Sequence, residues 1–335
     1  MNIIIPMAGR GTRMRPHSLT VPKPLLPIAG KPIAQRLVED IAGIAQQKID
    51  NIGFVIHPSF GQDVEVHLKE VAAQLGAKGH VFYQEKALGT AHAIMCAGEL
   101  LEGNCIVAFA DTLFKADFRL DTSSDGIIWV QKVEDPRPFG VVKVDSDGHI
   151  TDFVEKPQQF VSDLAIIGIY YFKEGDWLRR EIQYLLDNDI KDKGEYQITN
   201  ALENMKQKGA KFVPGQVDEW LDCGNKDVTV YTNQRYLEYI KDKELVAKSA
   251  KITNSVIIPP CYIGENVELY NSVIGPHVSI GDNSKIWDSR LENTIVQTNS
   301  QVKDLRAKNS MLGNYVIYEG RAKDLSVGDY NVVKE

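Results

Sequence analysis

The chain has 335 residues, of which 43% are hydrophobic and 25% charged, and its four cysteines are scattered. At roughly 100–200 residues per domain this length predicts two domains, and the cysteine usage excludes a disulfide framework and favours the reduced cytoplasm. The net charge of −7 argues against nucleic-acid binding, and without a run of about 18 apolar residues no membrane-spanning segment is expected.

Residues 1–245 alternate between strand and helix patterns. The β-branched run Asn2–Pro6 predicts a strand, and apolar residues at three- and four-residue steps from Ile33 to Ile44 predict an amphipathic helix. Further strands are predicted at Ile52–Ile56, Val81–Tyr83 and Ile106–Ala110, and further helices at Val64–Leu75 and Thr90–Leu101. Such alternation is typical of parallel strands with crossover helices, whose ligands collect at the carboxyl edge of the sheet.

Residues 250–335 follow a different period. Ile257, Ile274 and Leu291 lie 17 residues apart, and short phrases such as Asn-Ser-Val-Ile recur with them. Internal repetition of this kind indicates a solenoid, in which each coil buries its aliphatic residues against the next. Three sides of five or six residues predict a triangular β-helix of about four coils.

The strongest local motif is the Gly-rich turn after the first strand. Gly9 and Gly11 allow backbone N–H groups to approach a base or phosphate, and Arg13 and Lys23 bring two positive charges to one anion. Met14 replaces the third glycine of a dinucleotide fingerprint, and no Walker A lysine follows. The alternative is a tight turn with solvent-facing arginines.

Several further sequence motifs resemble those of the sugar-phosphate nucleotidyltransferases and occur in the same order as in that family. The entry motif Gly-x-Gly-Thr-Arg with Pro-Lys-Pro-Leu is similar to that of the family, and the resemblance covers residues 1–235. The other matching phrases are Leu88-Gly89-Thr90-Ala91, Phe109-Ala110-Asp111, Phe139-Gly140-Val141-Val142, Glu155-Lys156-Pro157, Ile167-Gly168-Ile169-Tyr170, Gly194-Glu195-Tyr196 and Trp220-Leu221-Asp222.

The resemblance implies an α/β fold: a Rossmann-like nucleotidyltransferase domain with a mixed, mostly parallel sheet in residues 1–245. A short left-handed parallel β-helix of hexapeptide type would follow in residues 250–335, serving oligomerisation or regulation. The implied reaction joins an NTP and a hexose-1-phosphate to give an NDP-sugar and pyrophosphate, with Mg²⁺ as cofactor. Two polyanions must meet in this reaction, so positioning and electrostatic stabilisation dominate it.

The resemblance also assigns site residues. The catalytic set is Arg13, Lys23, Asp111, Lys156 and Asp222, with Asp111 and Asp222 as the Mg²⁺ ligands. The nucleotide-binding set is Ala8, Gly9, Gly11, Thr12, Gln84, Gly89 and Thr90, and the sugar-binding set is Gly140, Glu155, Gly168 and Glu195. Taken alone, each aspartate could instead cap a helix or make a turn.

Three alternatives stay open at this point. Glucose-1-phosphate with dTTP is the expected pair, but Pro24 follows Lys23 where the thymidylyl branch has Gln, which leaves UTP and GTP possible. A second reading is a non-catalytic NDP-sugar-binding regulatory subunit. A third is an acyltransferase carried by the β-helix, for which His277 would be a residue, although a surface or inter-coil histidine is the simpler interpretation. We expect a homo-oligomer.

Overall fold

A computed structural model describes residues 1–9, 11–45, 47–116, 120, 122–321, 326–327 and 332. The chain forms two compact units, Met1–Thr232 and Asn233–Glu335, which are taken in turn below. Among the residues described, no helix combines the length and the apolarity that a bilayer crossing requires.

The first unit is built on a nine-stranded mixed sheet with helices packed on it. Its strands are β1 Asn2–Pro6, β2 Pro27–Ile28, β3 Lys31–Pro32, β4 Asn51–Ile56, β5 Lys78–Tyr83, β6 Cys105–Ala108, β7 Thr112–Lys115, β8 Gly126–Lys132, β9 Gly140–Val144, β10 Ile150–Glu155, β11 Leu164–Phe172, β12 Phe212–Gln216 and β13 Glu219–Asp222. Its helices are α1 Ile33–Ala45, α2 Gln62–Gln74, α3 Thr90–Met95, α4 Gly175–Asp187, α5 Ile198–Gln207 and the start of α6 Lys226–Tyr239.

The order of the strands shows which edge of the sheet carries the Gly-rich turn and Asp111. The main path runs β10-β9-β11-β6-β1-β4-β5, and β8 joins β11 to β12 outside it. From β6 to β5 the pairing is parallel, so the carboxyl ends of these strands meet at one edge, whereas β11 pairs antiparallel with β6, β8 and β9. The expected mixed α/β sheet is confirmed. Both the Gly-rich turn and Asp111 follow strands of the parallel part.

The core explains why these segments are strands. Ile3, Ile4 and Ile5 of β1 are fully buried, so both faces of this strand are covered, which is typical of parallel sheets. One cluster of buried residues joins β1, β6, β8 and β11 to helices α3, α4 and α5.

The helix predicted over Thr90–Leu101 is shorter in the structure. α3 ends at Met95, and a separate 3₁₀ turn spans Gly98–Leu100. Glycine inside a helix costs about 1 kcal/mol relative to alanine, and burial of Leu100 and Leu101 in the core stabilises the tighter turn instead. The apolar pattern alone does not distinguish one long helix from a short helix followed by a 3₁₀ turn.

The second unit is a short left-handed β-helix, as expected. Its strands are β14 Lys251–Thr253, β15 Val256–Ile257, β16 Tyr262–Ile263, β17 Glu268–Tyr270, β18 Val273–Ile274, β19 Ser279–Ile280, β20 Lys285–Trp287, β21 Arg290–Val296, β22 Gln301–Lys303, β23 Arg306–Leu312 and β24 Ile317–Glu319. All pairs are parallel, and the aliphatic residues at the repeat positions fill one continuous core.

The coils follow the predicted period of roughly 17 residues at first, and a later coil is one residue shorter. Ile257 pairs with Ile274 and Ile274 with Leu291, but Leu291 pairs with Ala307, one residue fewer. Register in a β-helix follows the inward-facing residues, so a corner can lose one residue while the core stays in line.

Polar residues stack at the corners of the coils. Asn271 accepts a hydrogen bond from Asn254 Nδ2 at 2.5 Å and donates one to Asp288 at 3.1 Å, and the backbone of each of these residues is left-handed. Asparagine and aspartate tolerate this conformation better than other residues with a side chain. His277 Nε2 lies 2.7 Å from a Glu238 carboxylate oxygen, a pairing within this unit.

Candidate active site

The turn after β1 packs against the lysine that follows it. Gly11 adopts the left-handed conformation with φ of 58°, and a Cβ atom there would lie 2.7 Å from Lys23 Cβ. Any larger residue would therefore displace Lys23. The Lys23 side chain is 8% exposed and its Nζ lies 3.1 Å from an Asp111 carboxylate oxygen. A buried ammonium group needs such a partner, and the contact fixes its position.

A two-stranded antiparallel ladder brings together two carboxylates that are distant in sequence. β13 pairs with β7 so that Asp222 lies opposite Thr112, and the Cys223 N–H donates to the Asp111 carbonyl oxygen at 3.0 Å. Burial raises the pKa of the Asp222 carboxyl, and the negative charge of Asp111 raises it further, against the opposing effect of Lys23 and Arg13. The two aspartates therefore repel each other across one site.

A cavity of about 240 Å³ opens between these residues and the Gly-rich turn. Its wall includes Gly9, Gly11, Thr12 and Arg13 from the turn, with Lys23, Phe109, Asp111 and Gly224. The cavity thus combines backbone of a Gly-rich turn with two cationic side chains and a carboxylate. Backbone N–H groups and fixed cations of this kind suit a polyphosphate.

A second cavity of about 470 Å³ adjoins the first, since Arg13, Phe109 and Asp111 line both. The predicted sugar-side residues Gly140, Glu155, Lys156, Gly168 and Glu195 line it, together with Asp222 and Thr90. Its size falls within the range of about 300–1,000 Å³ usual for small-molecule sites.

Lys156 and Glu155 are held in this second cavity by backbone geometry. Lys156 has a left-handed backbone with φ of 43°, and its Nζ lies 3.4 Å from a Glu155 carboxylate oxygen. Lys193 Nζ donates to the carbonyl oxygens of both residues, at 3.2 Å and 3.0 Å. A strained conformation in a residue other than glycine is retained only where the surroundings enforce it, and such residues gather at functional sites.

Tyr170, Thr199 and Trp220 are among the residues of the second cavity for which the sequence predicted no role. Tyr170 is 4% exposed, and burial raises the pKa of its phenol, with added effects of Glu155 and Asp111. Thr199 is 3% exposed with an unpartnered hydroxyl, and the Trp220 indole donates to Thr112 Oγ1 at 3.0 Å. Tyr170 ends the Ile-Gly-Ile-Tyr motif, and Thr199 lies three residues after the Gly194-Glu195-Tyr196 motif, so both motifs pointed to this region.

The remaining nucleotide-side residues occupy separate positions. Ala8 lines a third cavity of about 340 Å³, with Gly9, His57 and Phe60. Thr90 Oγ1 accepts from the Ile198 N–H at 2.9 Å and donates to Gln197 at 3.1 Å. Gln84 and Gly89 are not among the residues that line the three cavities.

Gly89 is required by close packing. Its φ is 114°, and a Cβ atom there would lie 2.4 Å from the Tyr196 carbonyl oxygen, which accepts a hydrogen bond from the Ala91 N–H. The Leu-Gly-Thr-Ala phrase is therefore constrained by the segment before α5. Substitution of Gly89 would separate these two parts of the site.

The donor set fits a hard divalent cation held by few protein ligands. In the described ranges no group of three or more His, Cys, Asp or Glu side chains could hold a metal ion. Asp111 and Asp222 form a pair, and Mg²⁺ is usually bound by one or two carboxylates, completed by substrate phosphates and water. The chemistry of the donor set favours this fit, because the pairing of β13 with β7 brings two carboxylates to one site and a bound cation would offset their repulsion, which after burial is the second cause of the raised pKa of Asp222.

Comparisons with known proteins agree with this geometry. The profile of a family described as nucleotidyl transferase matches residues 2–238. The glucose-1-phosphate thymidylyltransferase of Streptomyces antibioticus is 28% identical to this chain. The alignment covers 100% of this chain and 99% of that protein. The bifunctional protein GlmU of Methanococcus maripaludis strain C7 is 30% identical to this chain. The alignment covers 77% of this chain and 59% of GlmU. The chain thus spans about three fifths of the GlmU relatives.

Solved structures share the fold. A Bacillus anthracis protein described as a putative glucose-1-phosphate thymidylyltransferase aligns with a TM-score of 0.58 at 24% identity, covering 69% of this chain and 93% of that one. A UDP-glucose pyrophosphorylase complexed with UDP-glucose gives the same TM-score and identity, covering 71% and 98%. At these identities the likeness concerns the fold alone.

Proposed function

The chain belongs to the nucleotidyl transferase family, and we propose that it joins an NTP to a hexose-1-phosphate, releasing pyrophosphate. The observation that carries the proposal is the pair of adjoining cavities with Arg13, Phe109 and Asp111 in both walls. One cavity presents a Gly-rich turn and cations to a triphosphate. The other presents a lysine, carboxylates and hydroxyl groups to a sugar phosphate.

The proposed reaction is an in-line displacement. A phosphate oxygen of the sugar-1-phosphate forms a bond to the α-phosphorus of the NTP, and the bond from that phosphorus to the β-phosphate bridging oxygen breaks, so that pyrophosphate leaves. Arg13 and Lys23 stabilise the negative charge on the NTP, and Lys156 holds the sugar phosphate. Glu155 and Glu195 accept hydrogen bonds from sugar hydroxyls, and Gly140 and Gly168 allow the sugar ring to approach the backbone.

Asp111 and Asp222 are the residues that would hold Mg²⁺. When bound, the ion would neutralise phosphate charge and offset the repulsion between the two carboxylates. The contact between Lys23 and Asp111 contributes a further effect that does not depend on the ion. It keeps the lysine in place beside the turn, so little reorganisation is needed when the triphosphate binds.

The substrate pair proposed is dTTP and glucose-1-phosphate, because the full-length relative from Streptomyces antibioticus is described as a glucose-1-phosphate thymidylyltransferase. UTP and GTP are the competing nucleotides. Incubating the full-length protein with each NTP and each of several hexose-1-phosphates, and measuring pyrophosphate and NDP-sugar, distinguishes them. If folded protein forms no NDP-sugar from any pair, the proposal is wrong.

Asp111→Asn separates an enzyme from a non-catalytic NDP-sugar-binding subunit. In an enzyme this change should lower turnover by about 10²–10³-fold, the usual effect of losing one transition-state contact, while some sugar-nucleotide affinity stays. Asp147→Asn, at an exposed turn between β9 and β10, is the matched control and should leave turnover unchanged. Undiminished turnover in Asp111→Asn would contradict the catalytic assignment.

We assign catalysis to residues 1–245 and a role in homo-oligomer assembly or regulation to residues 250–335. Solenoids have exposed end coils and flat faces that neighbouring copies can cover. Removal of residues 250–335 should then change the sedimentation coefficient by more than the lost mass explains. Monomeric behaviour of both the full-length and the truncated protein would contradict the role in assembly.

A further inference from the structure

Gln84 directly follows β5, at the sheet edge that carries the Gly-rich turn. Its backbone N–H donates to the Ile56 carbonyl oxygen at 2.9 Å, which extends the parallel pairing by one residue. β4 lies between β5 and β1, and each strand spacing is about 4.8 Å. Gln84 is therefore about 10 Å along the edge from the turn, a distance that suits one end of a nucleotide bound there.

The orientation of the Gln84 amide is fixed by the chemistry of its neighbours. Nε2 lies 3.3 Å from the Gly89 carbonyl oxygen, which can only accept, and 3.0 Å from His92 Nδ1. Turning the amide over would place two oxygens against each other at Gly89, so the nitrogen must face this side. Both amide hydrogens are then donated within the protein, and Nδ1 of His92 must be the acceptor nitrogen.

The consequence is that only the oxygen of Gln84 is left for a ligand. Gln84 is 7% exposed, and within the described part of the chain no group donates to its Oε1. That oxygen is also absent from the unpartnered side-chain atoms sealed inside the protein. It therefore faces accessible space, and a polar atom in so buried a side chain normally has a partner.

We propose, on the premise of the function proposed above, that His92 is a positioning residue that presents Gln84 Oε1 to the nucleobase and thereby favours bases with a ring N–H. Uracil and thymine carry such a hydrogen at N3, and guanine carries one at N1. Cytosine has a lone pair at N3, which would face the Gln84 oxygen unfavourably. The Gly89 carbonyl decides which way the amide faces, and His92 Nδ1, the nearer acceptor at 3.0 Å, takes the second amide hydrogen and so holds the amide with Oε1 directed away from both.

The state of His92 agrees with that role. Burial lowers the pKa of its imidazole, so the ring stays neutral and Nδ1 keeps its lone pair at neutral pH. The Cys96 thiol, 4.0 Å from Nδ1, is a weak donor whose own pKa is raised by burial. It therefore adds no charge near the imidazole.

The test is calorimetric binding of UTP, CTP and N3-methyl-UTP to the full-length protein in Mg²⁺. Wild type should bind UTP at least about tenfold more tightly than the other two, since losing one hydrogen bond and leaving a buried oxygen unpaired costs about 1–3 kcal/mol. His92→Phe keeps a ring but has no acceptor, so the preference for UTP over CTP should fall by about tenfold. His92→Asn places an acceptor oxygen at the same distance along the side chain and should restore the preference.

His80→Phe is the matched control, because His80 lies on β5 but contacts Asn51 instead of Gln84. It should leave the nucleotide preference unchanged. Equal loss of UTP and CTP affinity in His92→Phe, with the ratio kept, would indicate a merely structural role and overturn the inference while turnover assays still support the proposed function. If wild type binds no nucleotide, the inference and the proposed function are both wrong.

Discussion

The two units differ in what some of their polar groups contact. In the first unit, Lys23 is nearly buried beside one carboxylate, the pKa of Asp222 is raised, and the hydroxyl of Thr199 has no partner. In the β-helix, a hydroxyl such as that of Ser272 accepts the N–H of the next coil, here Ser289 at 3.1 Å. Lys23, Asp222 and Thr199 all line the cavities, while stacked serines of the repeat bond from coil to coil. Unpartnered groups also occur away from the cavities, at Asn204 in the first unit and at Gln297 in the second. This contrast is expected if only the first unit must bind a ligand.

Lys23→Met tests the first unit and has the largest expected effect. We expect a loss of about 10²–10³-fold in kcat/KM, since a fixed cation beside the triphosphate is removed, with little loss of stability because methionine fills a similar volume. Pyrophosphate release and thermal unfolding measure the two effects. Lys31→Met, at a more exposed lysine paired with Glu39, is the control and should retain turnover. Full activity in Lys23→Met would contradict the site.

Leu291→Ala tests the β-helix side. The leucine is fully buried in the core of the coils, and its loss should lower the free energy of unfolding by about 2–5 kcal/mol. Denaturant unfolding of the full-length chain, followed by tryptophan fluorescence, measures the change. Val256→Ala, on a residue that is 57% exposed, should change stability by less than about 0.5 kcal/mol. Equal effects of the two changes would show that the coils do not share one core.

Asn271→Ala probes the corner stacking and has a smaller expected effect. It removes hydrogen bonds to Asn254 and Asp288 and replaces a residue that tolerates positive φ. A hydrogen bond is worth about 0.5–1.5 kcal/mol, so the loss of two bonds should lower the unfolding free energy by about 1–3 kcal/mol, and backbone strain adds to that loss. Asn271→Gly, which removes the strain but also the hydrogen bonds, should recover part of the loss. No recovery would mean that strain is unimportant there.

Asp222→Asn should raise, not lower, the stability of the metal-free protein at neutral pH, and its effect should be the smallest of the four. Because the pKa of Asp222 is raised in the folded protein, the native state binds a proton more readily than the unfolded chain. Metal-free wild type therefore loses stability as pH rises through the interval between the ordinary and the raised pKa. The variant should be more stable than wild type at neutral pH and equal to it at acid pH, below both values, while its turnover is low. Melting temperatures in chelator across this pH range check the sign.

Sequence patterns predicted most of the fold because they reflect local requirements. The strand at Asn2–Pro6 and the helix from Ile33 follow from alternation and from three- to four-residue spacing, and the coils follow from their own repetition. The end of α3 and the position at which a later coil becomes shorter were not predicted. Both depend on which apolar residues the core accepts, and a short apolar run is compatible with more than one local conformation.

For the candidate site, the sequence by itself identified the residues: a Gly-rich turn after one strand, an aspartate after another, and later motifs that contain a lysine and further carboxylates. Only the tertiary structure decided their juxtaposition. Asp222 faces Asp111 through the pairing of β13 with β7, and Gln84 meets His92 across the loop before α3. Long-range pairing and the direction of an amide depend on packing between distant segments, and spacing along the chain carries no information about either.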